Sequence, residues 1–213
     1  MHACQLWILR LSSSGTVKLA ANRLLRHLQT GRILKAMATP VLIPVSEYLN
    51  TTYRPDRDYG DGELIERNVG ETPHATVQGV FLAIFLANRT AWGVRLFTER
   101  RVQTSPTHYR VADVCVMRLG KPPGGIISTA PLICIEILSP DRSLSDMQER
   151  VDDYLGTGVE NVWIIDPLRR YAWYATSEDF RKVSKPEFTV PDSPISIALA
   201  DINQQLDGMA AGL

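Results

Sequence analysis

The 213-residue chain is long enough for one sizeable core and too short for two comfortable domains. Its 23 basic and 23 acidic residues balance, but residues 1–36 hold six of the bases and no acid, so 17 bases face 23 acids from Met37 onward, which excludes a strongly basic nucleic-acid surface spread over the whole fold. No stretch approaches the roughly 18 apolar residues of a membrane span, so no membrane partner is expected, and the three cysteines, Cys4, Cys115 and Cys134, read as reduced residues of a cytoplasmic protein.

Residues 1–36 are basic, serine-containing and free of acids, the composition of an organelle transit peptide. Met37 then opens MATPVLIPVSEYL like a natural start, so 1–36 are expected to be an extension outside the fold, with a basic helix at 17–28 as the alternative. The domain is expected over 37–205, followed by a loose tail at 206–213.

A short helix is predicted at 45–50, then a turn-rich stretch at 54–62 carrying Pro55, Gly60 and Gly62, then a strand at 63–68. Thr72, Pro73 and His74 open a helix to residue 88, in which Val77, Val80, Phe81, Ile84 and Phe85 recur at helical spacing and should pack on a sheet. Segments rich in β-formers follow at 94–103, 109–117 and 132–138, the last two separated by a glycine- and proline-rich loop at 120–125. Ser139 to Ser145 start a second helix that Gly158 closes. A strand at 161–166 and the turn 167–170 form a hairpin with 171–175; a short strand near Phe188 and a helical turn at 198–202 complete the chain. The fold class is α/β, a mixed sheet flanked by helices.

PLICIEILSP, residues 131–140, is apolar except for Glu136. Such a strand is buried on both faces, where an unpaired carboxylate costs several kcal/mol, so Glu136 requires an arginine, a lysine or a metal ion. Asp113 is likewise the lone acid of RVADVCVM. Alternation puts Val111, Asp113 and Cys115 on one face, with Cys134, Glu136 and Leu138 as the corresponding set; neighbouring strands then bring the two acids within a few ångströms. A divalent cation relieves their repulsion, and Mg²⁺ or Mn²⁺ would keep positions for water and phosphate oxygens, which supports metal-assisted hydrolysis. On the next helix Met147, Val151, Tyr154 and Leu155 form an apolar stripe. Arg150 lies beside it, leaning towards the acids, and Gln148 borders its other side.

The ordered segments GELIERN, HATVQGV, VADVCVM and PLICIEILSPDRSLSDMQERVDDYLGTGVENVWIIDP resemble the Uma-two family of predicted restriction endonucleases, within the PD-(D/E)XK nuclease superfamily, over residues 41–202. The resemblance implies a restriction-endonuclease-like core that binds Mg²⁺ (or Mn²⁺) and cuts DNA. By that resemblance Asp113 and Glu136 are the motif acids and metal ligands, and Glu63 matches the upstream acid that completes the metal shell. Ala112 stands where proline is common, Leu138 where the superfamily has lysine, and Arg150 at the helix position to which this family moves that lysine. A guanidinium still holds a phosphate, but its high pKa makes it a poor activator of water.

Blander readings stand beside these. Asp113 reads equally as a partner of Arg110 or Arg118, Arg150 as a helix ion pair with Asp146 or Asp153, and Glu63 as a solvated strand start with Glu66 as second choice. His74 reads as a helix-start surface residue, and Trp163, Trp173 and Tyr174 as packing. The expectation is a Mg²⁺-dependent DNA endonuclease with Asp113, Glu136, Arg150 and Glu63 as its catalytic set and Gln148, His74 and Tyr154 as candidate substrate contacts. A homodimer is expected, since two strands need two sites. The alternative, which the missing lysine favours, is a catalytically inactive nucleic-acid-binding or interaction module on the same fold.

Overall fold

The computed structural model describes residues 41–67, 70–120, 123–140, 142, 144–178, 180–183 and 187–211; the extension expected at 1–36 lies outside them. A short helix α1 (Val45–Asn50) leads to a hairpin of β1 (Asp58–Gly60) and β2 (Glu63–Ile65). The first of these strands falls in the stretch expected to be turn-rich. Asp61 and Gly62 connect the pair with φ of 47° and 98°, the positive values that a two-residue hairpin turn needs and that Asp-Gly supplies. Three-residue strands are too short to show an alternation, so that dipeptide is the hairpin's only mark in the sequence.

Helix α2 (Thr72–Asn88) buries Val77, Phe81 and Phe85, four residues apart, against the sheet. A long antiparallel pair follows, β3 (Val94–Ser105) with β4 (His108–Arg118). The opposite edge of β4 is shared: β1 pairs with it at His108 and Tyr109, and β5 (Ile133–Ile137) pairs with it at Val114 to Val116. Helix α3 (Leu144–Gly156) crosses from β5 to the parallel strand β6 (Asn161–Asp166). Gly158 closes its C-terminus as expected, its φ of 90° letting its own N–H reach Leu155 C=O and the Val159 N–H reach Tyr154 C=O. Strands β7 (Tyr171–Ala175) and β8 (Phe180–Lys182) extend the sheet to the order β2-β1-β4-β5-β6-β7-β8, with β3 on the far side of β4.

A two-stranded sheet of β9 (Glu187–Thr189) and β10 (Ser196–Ala198) precedes α4 (Leu199–Ala210). The loose tail expected at 206–213 is thereby corrected: the helix runs through Ala210 because Ile202 and Leu206, one turn apart, are buried in the core.

The sheet has two different faces. Val114, Val116, Ile133, Ile135 and Ile137 face α2 and join Phe81, Phe85, Trp163 and Phe188, with Trp163 and Phe188 stacked at 4.6 Å. Truncating one of these phenylalanines to alanine costs about 3–5 kcal/mol. Cys115 and Cys134 lie on the other face, against Met147, Val151 and Tyr154 of α3. Both thiols are free and buried, and burial pushes that of Cys115 up to about 12. Asp113 and Glu136, each two residues from one of these cysteines, share this second face.

Candidate active site

The ladder between β4 and β5 steps through Val116–Ile133, Cys115–Cys134 and Val114–Ile135 and stops. Asp113 and Glu136 are next in register, and there the strands part. Beyond this point the chain bonds to β6, with Leu138 N–H donating to Ile165 C=O at 2.8 Å. The vacated edge of β4 is completed by side chains, because buried backbone groups cannot stay unpaired. Ile137 N–H donates to Asp113 Oδ2 at 2.8 Å, Val111 N–H donates to Asp58 Oδ1 at 2.7 Å, and Arg150 Nη2 donates to Val111 C=O at 2.9 Å. On the β3 side Glu99, opposite Asp113, takes φ 51° and drops out of the ladder. Gln78 of α2 fills that gap, donating to Asp113 C=O at 2.8 Å and to Glu99 Oε1 at 2.9 Å.

Glu136 and Arg150 are 2% and 3% exposed, so each depends on the other for solvation. Arg150 grips Glu136 with two bonds, Nε to Oε2 at 3.0 Å and Nη2 to Oε1 at 2.9 Å, while its Nη1 donates to Asp58. The Tyr154 hydroxyl donates to Glu136 Oε1 at 2.6 Å. Burial pushes the Glu136 carboxyl up, and so does the nearby charge of Asp113, against the pull of Arg150 and Tyr154. Arg150 therefore supplies the compensating charge that Glu136 requires, and its alternative partner Asp153 is taken by Arg110 Nε at 2.6 Å.

Asp113 is 3% exposed and held differently. Arg67 Nη2 donates to its Oδ1 at 2.6 Å and bridges on to Glu99, while His74 Nε2 stands 3.6 Å from the same Oδ1. Burial acts to raise this carboxyl, but His74, Arg67 and the Ile137 N–H together hold it below the usual carboxylate range. Neither basic partner expected from the sequence is used: Arg110 turns to α3 and Arg118 pairs with Glu160 at 3.0 Å.

Arg67, Arg142 and Arg150 line the resulting cleft beside Asp113 and Glu136, with His74, Ser139 and Met147 completing it. Its free space of about 20 Å³ admits one water-sized or ionic guest. Arg67 and Arg150 are each shared between two carboxylates, so among the described residues Arg142 is the lining guanidinium left to meet an anionic ligand, and no lysine lines the cleft among the described residues. For a cation, the ligand atoms of His74, Glu99 and Asp113 all lie within 4.8 Å of one another, around a place where the Arg67 guanidinium already sits. This mixed imidazole and carboxylate set fits a divalent ion.

The structure thus brings Asp113, Glu136, Arg150, Tyr154 and His74 together and leaves two expected site residues elsewhere. Glu63 is exposed on β2 opposite Gly60, outside the cleft lining, and Glu66 pairs with Arg57 at 3.3 Å. The upstream acid that does enter the buried network is Asp58, on the strand before. Gln148 points to solvent and donates to Asp152 at 2.9 Å, because two residues on a helix turn the side chain about 200° from Arg150. Arg67, Gln78 and Glu99 were not singled out by their sequence pattern; their pairing spans 21 to 46 residues, and only Arg67, in the segment GELIERN, lay near a motif. No described helix is long and apolar enough to cross a membrane.

Among solved structures, the chain resembles one titled "a putative nuclease belonging to DUF820 from Anabaena variabilis ATCC 29413", with a TM-score of 0.67 and 23% identity over 77% of this chain and 99% of that one. Identity this low speaks for the fold alone. No curated protein matches the chain. Residues 45–200 match the Uma2 family, described as "Putative restriction endonuclease". With a mixed sheet that forks at two buried acids and a family match over most of its length, the chain belongs to the Uma2 family.

Proposed function

We propose that this protein is a divalent-metal-dependent DNA endonuclease. The carrying observation is the pair Asp113 and Glu136, buried side by side where β4 and β5 part, each neutralised by an arginine in a cleft that Arg142 also lines. Mg²⁺ or Mn²⁺ would be held first by Asp113, with His74 and Glu99 within reach of it, and by Glu136 through Oε2, which among the described residues accepts from Arg150 Nε alone. When bound, such an ion polarises a phosphoryl oxygen and acidifies a water molecule. The chain's own residues do the rest. Arg142 holds the phosphate, Arg67 ties Asp113 to Glu99, Gln78 fixes the carboxylate of Glu99 and the backbone of Asp113, and Arg150 and Tyr154 set the orientation of Glu136. Two copies of the chain would serve the two strands of a duplex.

The test is supercoiled plasmid incubated with the full chain and Mg²⁺ or Mn²⁺, beside Asp113→Asn, Glu136→Gln and an EDTA control. Nicking or linearisation that each substitution and EDTA abolish supports the proposal. Intact plasmid and intact single strands under all conditions contradict it. A second reading, a binding module without turnover, is favoured by the two-bond hold of Arg150 on Glu136 and by the absence of a lysine from the cleft lining among the described residues. That reading predicts DNA retained by the protein and left uncut.

A further inference from the structure

A second depression adjoins the cleft where β5 and β6 end, with a volume of about 380 Å³. That is the size range of sites for compact organic ligands. Leu138, Pro140 and Leu144 give it an apolar floor, and Tyr171 and Trp173, on one face of β7, form its aromatic wall. The two rings meet edge to face at 6.2 Å and 90°, and Tyr171 is 45% exposed, a large aromatic area turned to solvent. Arg142 and Arg169 stand at its rim; Arg169 is paired with Asp166, so Arg142 carries the rim's positive charge among the described residues. Among the described residues the one acid there, Asp166, is already occupied: it accepts from the Leu168 and Arg169 N–H groups at 3.0 and 2.8 Å and from Arg169 Nη1 at 2.9 Å. Arg142 lines both this groove and the cleft, so a chain whose phosphate sits beside Arg142 in the cleft has its adjoining unit at the groove.

We infer that this groove binds the unstacked base of the nucleotide next to the phosphate held in the cleft. The occupant must combine a flat apolar face with an adjacent anion, since the wall is aromatic and the rim is cationic; a nucleobase carried on its phosphate has both. A base inside an intact duplex is stacked and cannot enter, so the groove selects single strands, bubbles or frayed ends over closed duplex. The inference rests on the proposal that the cleft receives a nucleic-acid phosphate, and it adds the structural state of the strand that is recognised.

The experiment measures binding apart from cleavage. Fluorescein-labelled oligonucleotides are titrated with the full chain in Ca²⁺ and followed by anisotropy, as a single strand, a duplex with a central unpaired bubble and a closed duplex. The wild type is expected to bind the first two more tightly than the third. Tyr171→Leu should weaken binding to them by roughly 5- to 100-fold, the range for one lost base–aromatic stack, with the closed duplex unchanged and Tyr171→Phe behaving as wild type. Thermal melts of both variants check the fold. Equal affinity of Tyr171→Leu and wild type for single strand overturns the inference and leaves the nuclease proposal standing if plasmid is cut. Tyr171-dependent binding with uncut plasmid supports the groove and removes the nuclease reading. No binding of any oligonucleotide overturns both.

Discussion

The two buried carboxylates look alike in the sequence and are built differently in the structure. Glu136 belongs to a closed network: Arg150 takes both of its oxygens, Tyr154 adds a third bond, and Asp58 balances the remaining face of the guanidinium. Asp113 belongs to an open one. Its arginine, Arg67, comes from the segment before α2 and leaves its side chain 11% exposed, against 4% for Arg150. Burial raises the Glu136 carboxyl, while a cationic surround holds that of Asp113 down. Glu136 is thus locked into the fold, and Asp113 is an ionised group at the edge of a cleft, the better first contact for an incoming cation.

Breaking the closed network should have the largest effect. Arg150→Met strands Glu136 as a buried charge and leaves Asp58 with Arg110 at 3.5 Å as its cation, and should cost about 3–5 kcal/mol of stability, read by urea unfolding. Tyr154→Phe removes one bond to a charged oxygen and should cost about 1.5–3 kcal/mol in the same assay. Arg67→Met should also cost about 1.5–3 kcal/mol, less than Arg150→Met, because the Ile137 N–H and His74 still face Asp113 and Glu99 is exposed. It should also tighten Mn²⁺ binding about tenfold by removing a competing positive charge. If Arg67→Met unfolds the protein as readily as Arg150→Met, the contrast between the two pairs fails.

The smallest effect concerns the thiols behind the site. Cys115 stays protonated in the fold until about pH 12, whereas an unfolded thiol ionises near about pH 8.5. The stability gained by keeping it neutral is full below the unfolded value and is lost as pH rises towards the folded one. At pH 9, iodoacetamide should spare Cys115 and Cys134 in the folded protein and label both in urea.

The legible parts were those fixed by local pattern. A carboxylate inside PLICIEILSP must be compensated, and the stripe on α3 placed Arg150 next to it, so the closed network was half visible. Asp58 was hidden because its strand has three residues within a turn-rich stretch. Glu99 reads as one more polar residue of a long strand; nothing local announces its positive φ or its contact with Arg67. Gln148 was a matter of helical phase, and the GMAAGL tail concealed that Ile202 and Leu206 carry α4 past the expected end.

The most direct test of the cation site is a Mn²⁺ titration of the full chain followed by the electron paramagnetic resonance of the free ion, comparing wild type with Asp113→Asn. Saturable binding by the wild type that Asp113→Asn loses is the predicted result. A wild type that leaves Mn²⁺ free at millimolar concentration, or an Asp113→Asn variant that binds as the wild type does, would contradict the account.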